Sequence, residues 1–175
     1  MTGKPCTVED VDRDDRAAQA AWQENYLKVW DRKLKAGIQK EVDRRGLASF
    51  MNRTRWTALI KAVHEELPFP PPFQIQGVTG PRQALWESDD VHHWGDWSAE
   101  GVEPVLEIEW IRVVPRYLRR RGELIDPEII DCTDQFRDLV RRLRLPWRED
   151  ERGIWIFGYA PADPATLTWN DETPT

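Results

Sequence analysis

With 175 residues, 40% hydrophobic and 32% charged, the chain has the composition of one globular domain, long enough to bury a substantial core. A net charge of −6 and a sequence pI near 5.2 argue against a protein built to condense on nucleic acid by neutralising phosphates, and they disfavour a polybasic membrane anchor. Two cysteines are too few for a disulfide scaffold, no apolar run is long enough for a membrane helix, and the opening MTGKPCTVEDVDRDD lacks a secretory apolar stretch, so the expected location is the cytoplasm.

Residues 1–14 and 161–175 are polar and without period and read as flexible ends, which leaves 15–160 as a single domain. From Asp15 to Arg45, the residues Ala18, Trp22, Tyr26, Trp30 and Leu34 recur every fourth position and predict a long helix. Gly37 is its expected break and Gly46 its stop. SFMNRTRWTALIKAVHEELP then predicts a second helix, with Ser49 as N-cap, Phe50, Trp56, Leu59, Ile60, Val63 and Leu67 on one side, and Pro68 as terminator. PFPPPFQIQGVTG passes from proline-rich extension into a strand with Phe73, Ile75 and Gly77 on one face.

Residues 81–103 lack a sustained period and predict either a short strand around Ala84–Glu87 or a functional loop. PVLEIEWIRVV, 104–114, is the clearest strand, with Leu106, Ile108 and Trp110 on one face and Glu107 and Glu109 on the other. A basic segment, RYLRRRGEL, leads through Pro127 to a third helix that carries Phe136, Leu139, Val140 and Leu143, with Thr133 as cap and Pro146 as end. GIWIFGYA closes the domain as a strand apolar on both faces, Ile154, Ile156 and Gly158 on one and Trp155, Phe157 and Tyr159 on the other, which predicts a central position. This order predicts an α+β fold: a small, mainly antiparallel sheet with helices packed on one face, preceded by a long N-terminal helix.

The densest chemistry lies in VHHWGDWSAEG. His92 and His93 are adjacent and point apart in an extended backbone, so the stretch is expected to be a loop pinned by Trp94 and Trp97, with partner contact as its second use and metal binding as its third. Glu107 and Glu109 could form an acid–base pair if buried, but their alternation with apolar residues fits a solvated strand face. Cys132, flanked by Asp131 and Asp134, lacks a neighbouring histidine and is a poor nucleophile. The arginines at 116 and 119–121, with Arg141, Arg142 and Arg144, form the one strongly basic region, but acids are interspersed with them, so the patch is expected to be partly neutralised within the fold.

Three stretches together carry a family resemblance: Phe50, Met51, Asn52, Thr54 and Trp56; Glu109 and Trp110; and Ile154 through Tyr159. The chain resembles a bacterial family catalogued as a domain of unknown function, with a Phe-Met-Asn/Asp-x-Thr-Lys-Trp opening, a central Glu-Trp strand and an Ile-Trp-Gly-Tyr close. It departs from that pattern in Arg55, where Lys is usual, and in the extra Phe157, and its N-terminal helix looks like an addition. The resemblance, over residues 46 to 160, implies a compact α+β domain and no catalytic residue. In size and acidity the chain is also similar to immunity proteins that neutralise toxins.

Ten tryptophans and a surplus of arginine remain to be explained, and both residue types dominate binding hot spots. The expectation is a non-enzymatic protein that binds another protein, without a cofactor or metal, through Trp94, Trp97, Glu107, Glu109, Trp147, Trp155, Phe157 and Tyr159. The first alternative is a hydrolase-like or metal-dependent enzyme, which requires at least three of His92, His93, Asp96, Glu107 and Glu109 to converge in one pocket. Nucleic-acid binding through Arg116 to Arg121 requires a continuous basic stripe.

Overall fold

A computed structural model describes residues 31–82, 92–122 and 125–161. The chain divides into two compact units, residues 1–40 and 41–175. Residues 31–45 are the described part of helix α1, which runs without a break through Gly37, so the expected interruption there is not formed. Gly46 ends it at φ +63°, a conformation that costs glycine little. Ala18, Trp22, Tyr26 and Trp30 of the proposed stripe lie outside the described residues.

The second unit has a mainly antiparallel α+β fold. After β1 (Leu47–Ser49) comes α2 (Arg53–Glu66), and its N-cap is Asn52, whose side chain accepts from the Arg55 N–H at 2.9 Å. Ser49, the expected cap, is instead a strand residue paired with Tyr159. The remaining elements are β2 (Phe73–Gly77), β3 (Gly80–Pro81), α3 (Ala99–Val102), a 3₁₀ turn (Val105–Glu107), β4 (Ile108–Val113), β5 (Arg116–Arg119), β6 (Glu128–Asp131), α4 (Thr133–Arg142), β7 (Trp147–Asp150), β8 (Gly153–Phe157) and β9 (Tyr159–Pro161). Thr133 begins α4 rather than capping it. Cys132 holds the cap position, and the Thr133 N–H donates to Asp131 Oδ1 at 2.7 Å.

Five strands form the main sheet in the order β3-β2-β4-β8-β7, every pair antiparallel, with β8 between β4 and β7. One face presents Phe73, Ile75, Ile111, Val113, Ile154, Ile156 and Trp147, all buried with Trp56, Leu59, Ala62 and Val63 of α2 and Phe136, Leu139 and Val140 of α4. Burying these side chains is the main stabilising contribution, roughly 25 cal/mol for each Å² of apolar surface removed from water. Two further ribbons flank the sheet, β1-β9 and β5-β6.

The strand expected over 104–114 starts only at Ile108, because 105–107 form the 3₁₀ turn. Its alternation also slips. Gln76 faces Trp110 and Gly77 faces Ile108, which leaves Glu109 as the extra residue of a bulge. Ile108 therefore enters the core with Ile111, while Trp110 turns to the other face beside Phe157. The closing run is likewise two strands, divided at Gly158. Its N–H donates to Glu109 O at 2.8 Å and its carbonyl accepts from Phe50 N at 2.9 Å. A Cβ on Gly158 would lie 1.9 Å from Ile108 O, so the close approach of these backbones requires glycine here.

Candidate functional site

The opening histidine–tryptophan stretch is a loop held at nearly every residue. Trp97 lies buried in the core, edge-on to Phe73 at 4.7 Å, and its Nε1 donates to Pro71 O at 2.7 Å. The Gly95 N–H donates to Pro70 O at 3.0 Å, and His64 Nε2 of α2 lies 3.2 Å from Trp97 O. Asp96 Oδ1 accepts from Ser98 N at 3.1 Å, and hydrogen bonds from Ser98 hold this carboxyl below its ordinary value. At the other end His92 Nδ1 sits 3.3 Å from Leu118 O of β5. The expected strand around Ala84–Glu87 lies outside the described residues.

Trp94 is the large apolar side chain of the loop that is turned outward. It stands edge-on to Tyr117 of β5 at 6.0 Å, and Tyr117 in turn packs on buried Phe69 at 4.7 Å. In β5-β6, Tyr117 pairs with Ile130 and Leu118 with Ile129, so these pairs occupy opposite faces of the ribbon. The large hydrophobics left exposed among the described residues are Trp94 (54%), Ile125 (56%) and Ile129 (60%). All of them lie on this ribbon, on its connecting segment or against it. The 92–98 loop and the β5-β6 ribbon thus form the candidate site.

The other sequence-derived candidates are placed differently. Trp147 is buried in the core beneath the Arg141 guanidinium at 5.6 Å, so neither it nor Trp97 is available to a partner at the surface. Trp155 and Phe157 lie half-buried on the sheet face away from α2 and α4, with Trp110 at 4.7 Å from Trp155 and the Arg112 and Arg148 guanidiniums at 6.0 and 5.9 Å from its ring. Trp155 Nε1 donates to Asp150 Oδ1 at 2.9 Å. Gln74 and Arg112 on this face are buried, so its centre is closed to solvent. Tyr159 is half-buried and donates to Leu106 O at 2.9 Å, and burial pushes its phenol up.

The two carboxylates of the clearest strand serve different partners. Glu109, the bulge residue, takes a two-pronged grip from Arg45 at 2.8 and 2.5 Å, while Glu107 accepts from the Thr79 hydroxyl. His92, His93, Asp96, Glu107 and Glu109 do not converge, and among the described residues no three His, Cys, Asp or Glu side chains come together to hold a metal ion. A cleft of about 170 Å³ opens between the β4-β5 junction and the β7-β8 turn, lined by Arg116, Asp131, Thr133, Glu149, Asp150 and Arg152. Three of its acids are committed, Glu149 to Arg137 at 2.8 and 2.7 Å, Asp150 to Trp155 and the Arg152 N–H, and Asp131 to Thr133, while Glu151 is exposed at its rim. Burial, with Asp131 adding to it, pushes the neighbouring Cys132 thiol up to about 12, which leaves it protonated and unreactive.

The arginines are dispersed as well. Arg119 binds Glu128 at 2.5 Å, Arg142 binds Glu66 at 2.5 Å and Arg116 lines the cleft beside Asp131, while Arg120 and Arg121 are exposed. Among the described residues no helix is long and apolar enough to cross a membrane.

The family model matches residues 38–163, most of the chain and nearly all of the second unit. The chain belongs to DUF6678, a family of unknown function. Comparison with curated proteins and with solved structures gives no match. The DUF6678 match covers the pinned loop, the ribbon and both core helices, so the candidate site lies within the family's own domain. Sequence reasoning found Trp94 but missed Tyr117, Ile125 and Ile129. Their signal was present in RYLRRRGELIDPEII, two short apolar runs about a glycine- and proline-bearing turn, a hairpin pattern obscured by its arginines.

Proposed function

We propose that this DUF6678 protein is a protein-binding module whose contact element is the β5-β6 ribbon together with Trp94. The observation behind this is that Trp94, Ile125 and Ile129, the exposed large hydrophobics of the described residues, all lie on or against one small ribbon, Trp94 beside its Tyr117 face and Ile129 on the opposite face. Exposed apolar surface is costly to keep in water, and a ribbon that carries it on both faces is an element that a partner would cover. The anchored 92–98 loop adds to it, since a rigid aromatic loses little freedom on binding.

Photo-crosslinking residues placed at 94, 129 and, as a control, at the exposed helix position 138 test this in extract of the producing cell. Discrete protein adducts from 94 and 129, absent from 138 and weakened by Ile129→Asp in a chain with unchanged circular dichroism, are the expected result. No adduct, or the same adducts from all three positions, overturns the reading.

A further inference from the structure

The two edges of the β5-β6 ribbon are not equivalent. The Cys132 N–H donates to Pro115 O at 2.8 Å, which makes Pro115 and Cys132 a hydrogen-bonded pair of the antiparallel ladder. Such pairs alternate, so Tyr117–Ile130 and Arg119–Glu128 exchange hydrogen bonds, while Arg116–Asp131 and Leu118–Ile129 direct their backbone groups outward. On β5 one outward group of each residue has a partner: the Arg116 N–H donates to Val114 O at 2.7 Å, and Leu118 O lies against His92 Nδ1. On β6 the outward N–H and C=O of Ile129 and Asp131 face no strand among the described residues. An unpaired edge of this kind is a template for one more strand.

Charge narrows what that strand can be. β6 reads Glu-Ile-Ile-Asp, an apolar centre between acids, and Asp126 is exposed just before it. Its existing neighbour β5 reads Arg-Tyr-Leu-Arg and sets Arg119 against Glu128 and Arg116 against Asp131. A second copy offering β6 is itself flanked by acids and lacks the positive charge this edge favours. Resting on the protein-binding reading above, we infer that the edge of β6 that no described strand covers accepts an extended segment of a partner protein with an apolar centre and basic flanks, added as a third antiparallel strand.

The test is amide hydrogen exchange of the full chain, followed by NMR, with a synthetic peptide that repeats residues 115–120, Pro-Arg-Tyr-Leu-Arg-Arg, at about millimolar concentration. The peptide should slow the Ile129 and Asp131 amides and leave Glu128 and Ile130, already directed at β5, little changed. A peptide with Glu at the two positions that match Arg116 and Arg119 should bind about tenfold more weakly, and one N-methylated on its ladder-forming amides should not protect at all. Equal protection by the acidic or the N-methylated peptide, protection at Leu118 instead, or none at Ile129 and Asp131 overturns strand addition. So does concentration-dependent protection without peptide, which makes a second copy the occupant. Crosslinks from position 94 that persist in any of these cases leave the protein-binding reading standing.

Discussion

Gly95→Ala probes how firmly the 92–98 loop is fixed. A Cβ on Gly95 would stand 2.2 Å from Pro71 O, 2.8 Å from Phe73 Cδ1 and 3.0 Å from Trp97 Nε1, all well inside the ordinary carbon contact distance of about 3.5 Å. Gly95 is not among the positive-φ residues, so the whole effect is steric. The obstructing atoms are a backbone carbonyl and a core ring, neither able to yield, so the loop must withdraw. Withdrawal breaks the Gly95–Pro70 and Trp97–Pro71 hydrogen bonds, about 1 kcal/mol each, and overpacking against Phe73 adds about 1–3 kcal/mol. The sum of about 3–5 kcal/mol lowers the melting temperature by about 10 °C for a chain of this size. Thermal and urea unfolding with near-ultraviolet circular dichroism measure both the loss and the loosening of Trp97. Gly37→Ala in α1, where a Cβ meets nothing within 4 Å, is the control and should be neutral or stabilise by up to about 1 kcal/mol. A Gly95→Ala chain within about 0.5 kcal/mol of the parent would refute the pinned loop.

Three further outcomes follow from the local chemistry. Asn52→Ala should cost about 1 kcal/mol in urea unfolding while Ser49→Ala costs little, since Asn52 is the group that accepts from the first turn of α2; equal losses would contradict the cap assignment. In a Cys6→Ser background, native Cys132 should resist a thiol reagent near pH 8 and react on denaturation, because its thiolate is scarce and its sulfur buried; rapid native labelling would count against the burial. Hydrogen bonds from Arg137 hold Glu149 below its ordinary value of 4.5, so the folded chain binds that proton less readily than the unfolded one. The pair therefore contributes fully above about pH 4.5 and less as pH falls through the lower folded value, so Glu149→Gln should cost about 1 kcal/mol near pH 7 and less near pH 3. An equal cost at both pH values would exclude the ion pair as its source.

The helices and the core strands were legible because periodicity records burial. Trp56, Leu59 and Val63, or Phe136, Leu139 and Val140, fall on one side of a helix whatever lies opposite them. Glu109 shows where this fails: a bulge inserts one residue into β4, the alternation changes phase, and no local signal separates Trp110 facing the core from Trp110 facing away. Caps failed for a related reason, since Ser49 and Asn52 are both good cap residues and only the pairing of Ser49 with Tyr159 decides between them. The 92–98 loop was legible as a pinned segment, but not its anchors, because Pro70, Pro71, His64 and Leu118 are distant in sequence. The tryptophan surplus divides accordingly: Trp56, Trp97 and Trp147 build the interior, and Trp94 remains outside.

The ribbon is rooted at both ends, β5 following directly from β4 through Pro115 and β6 running straight into α4, with the Cys132–Pro115 hydrogen bond closing its base. Its connecting segment, 120–127, can therefore change length without shifting either root. Doubling that segment adds only about 0.6 kcal/mol of chain-closure entropy, so foreign sequences grafted there should be carried as display inserts on an undisturbed scaffold.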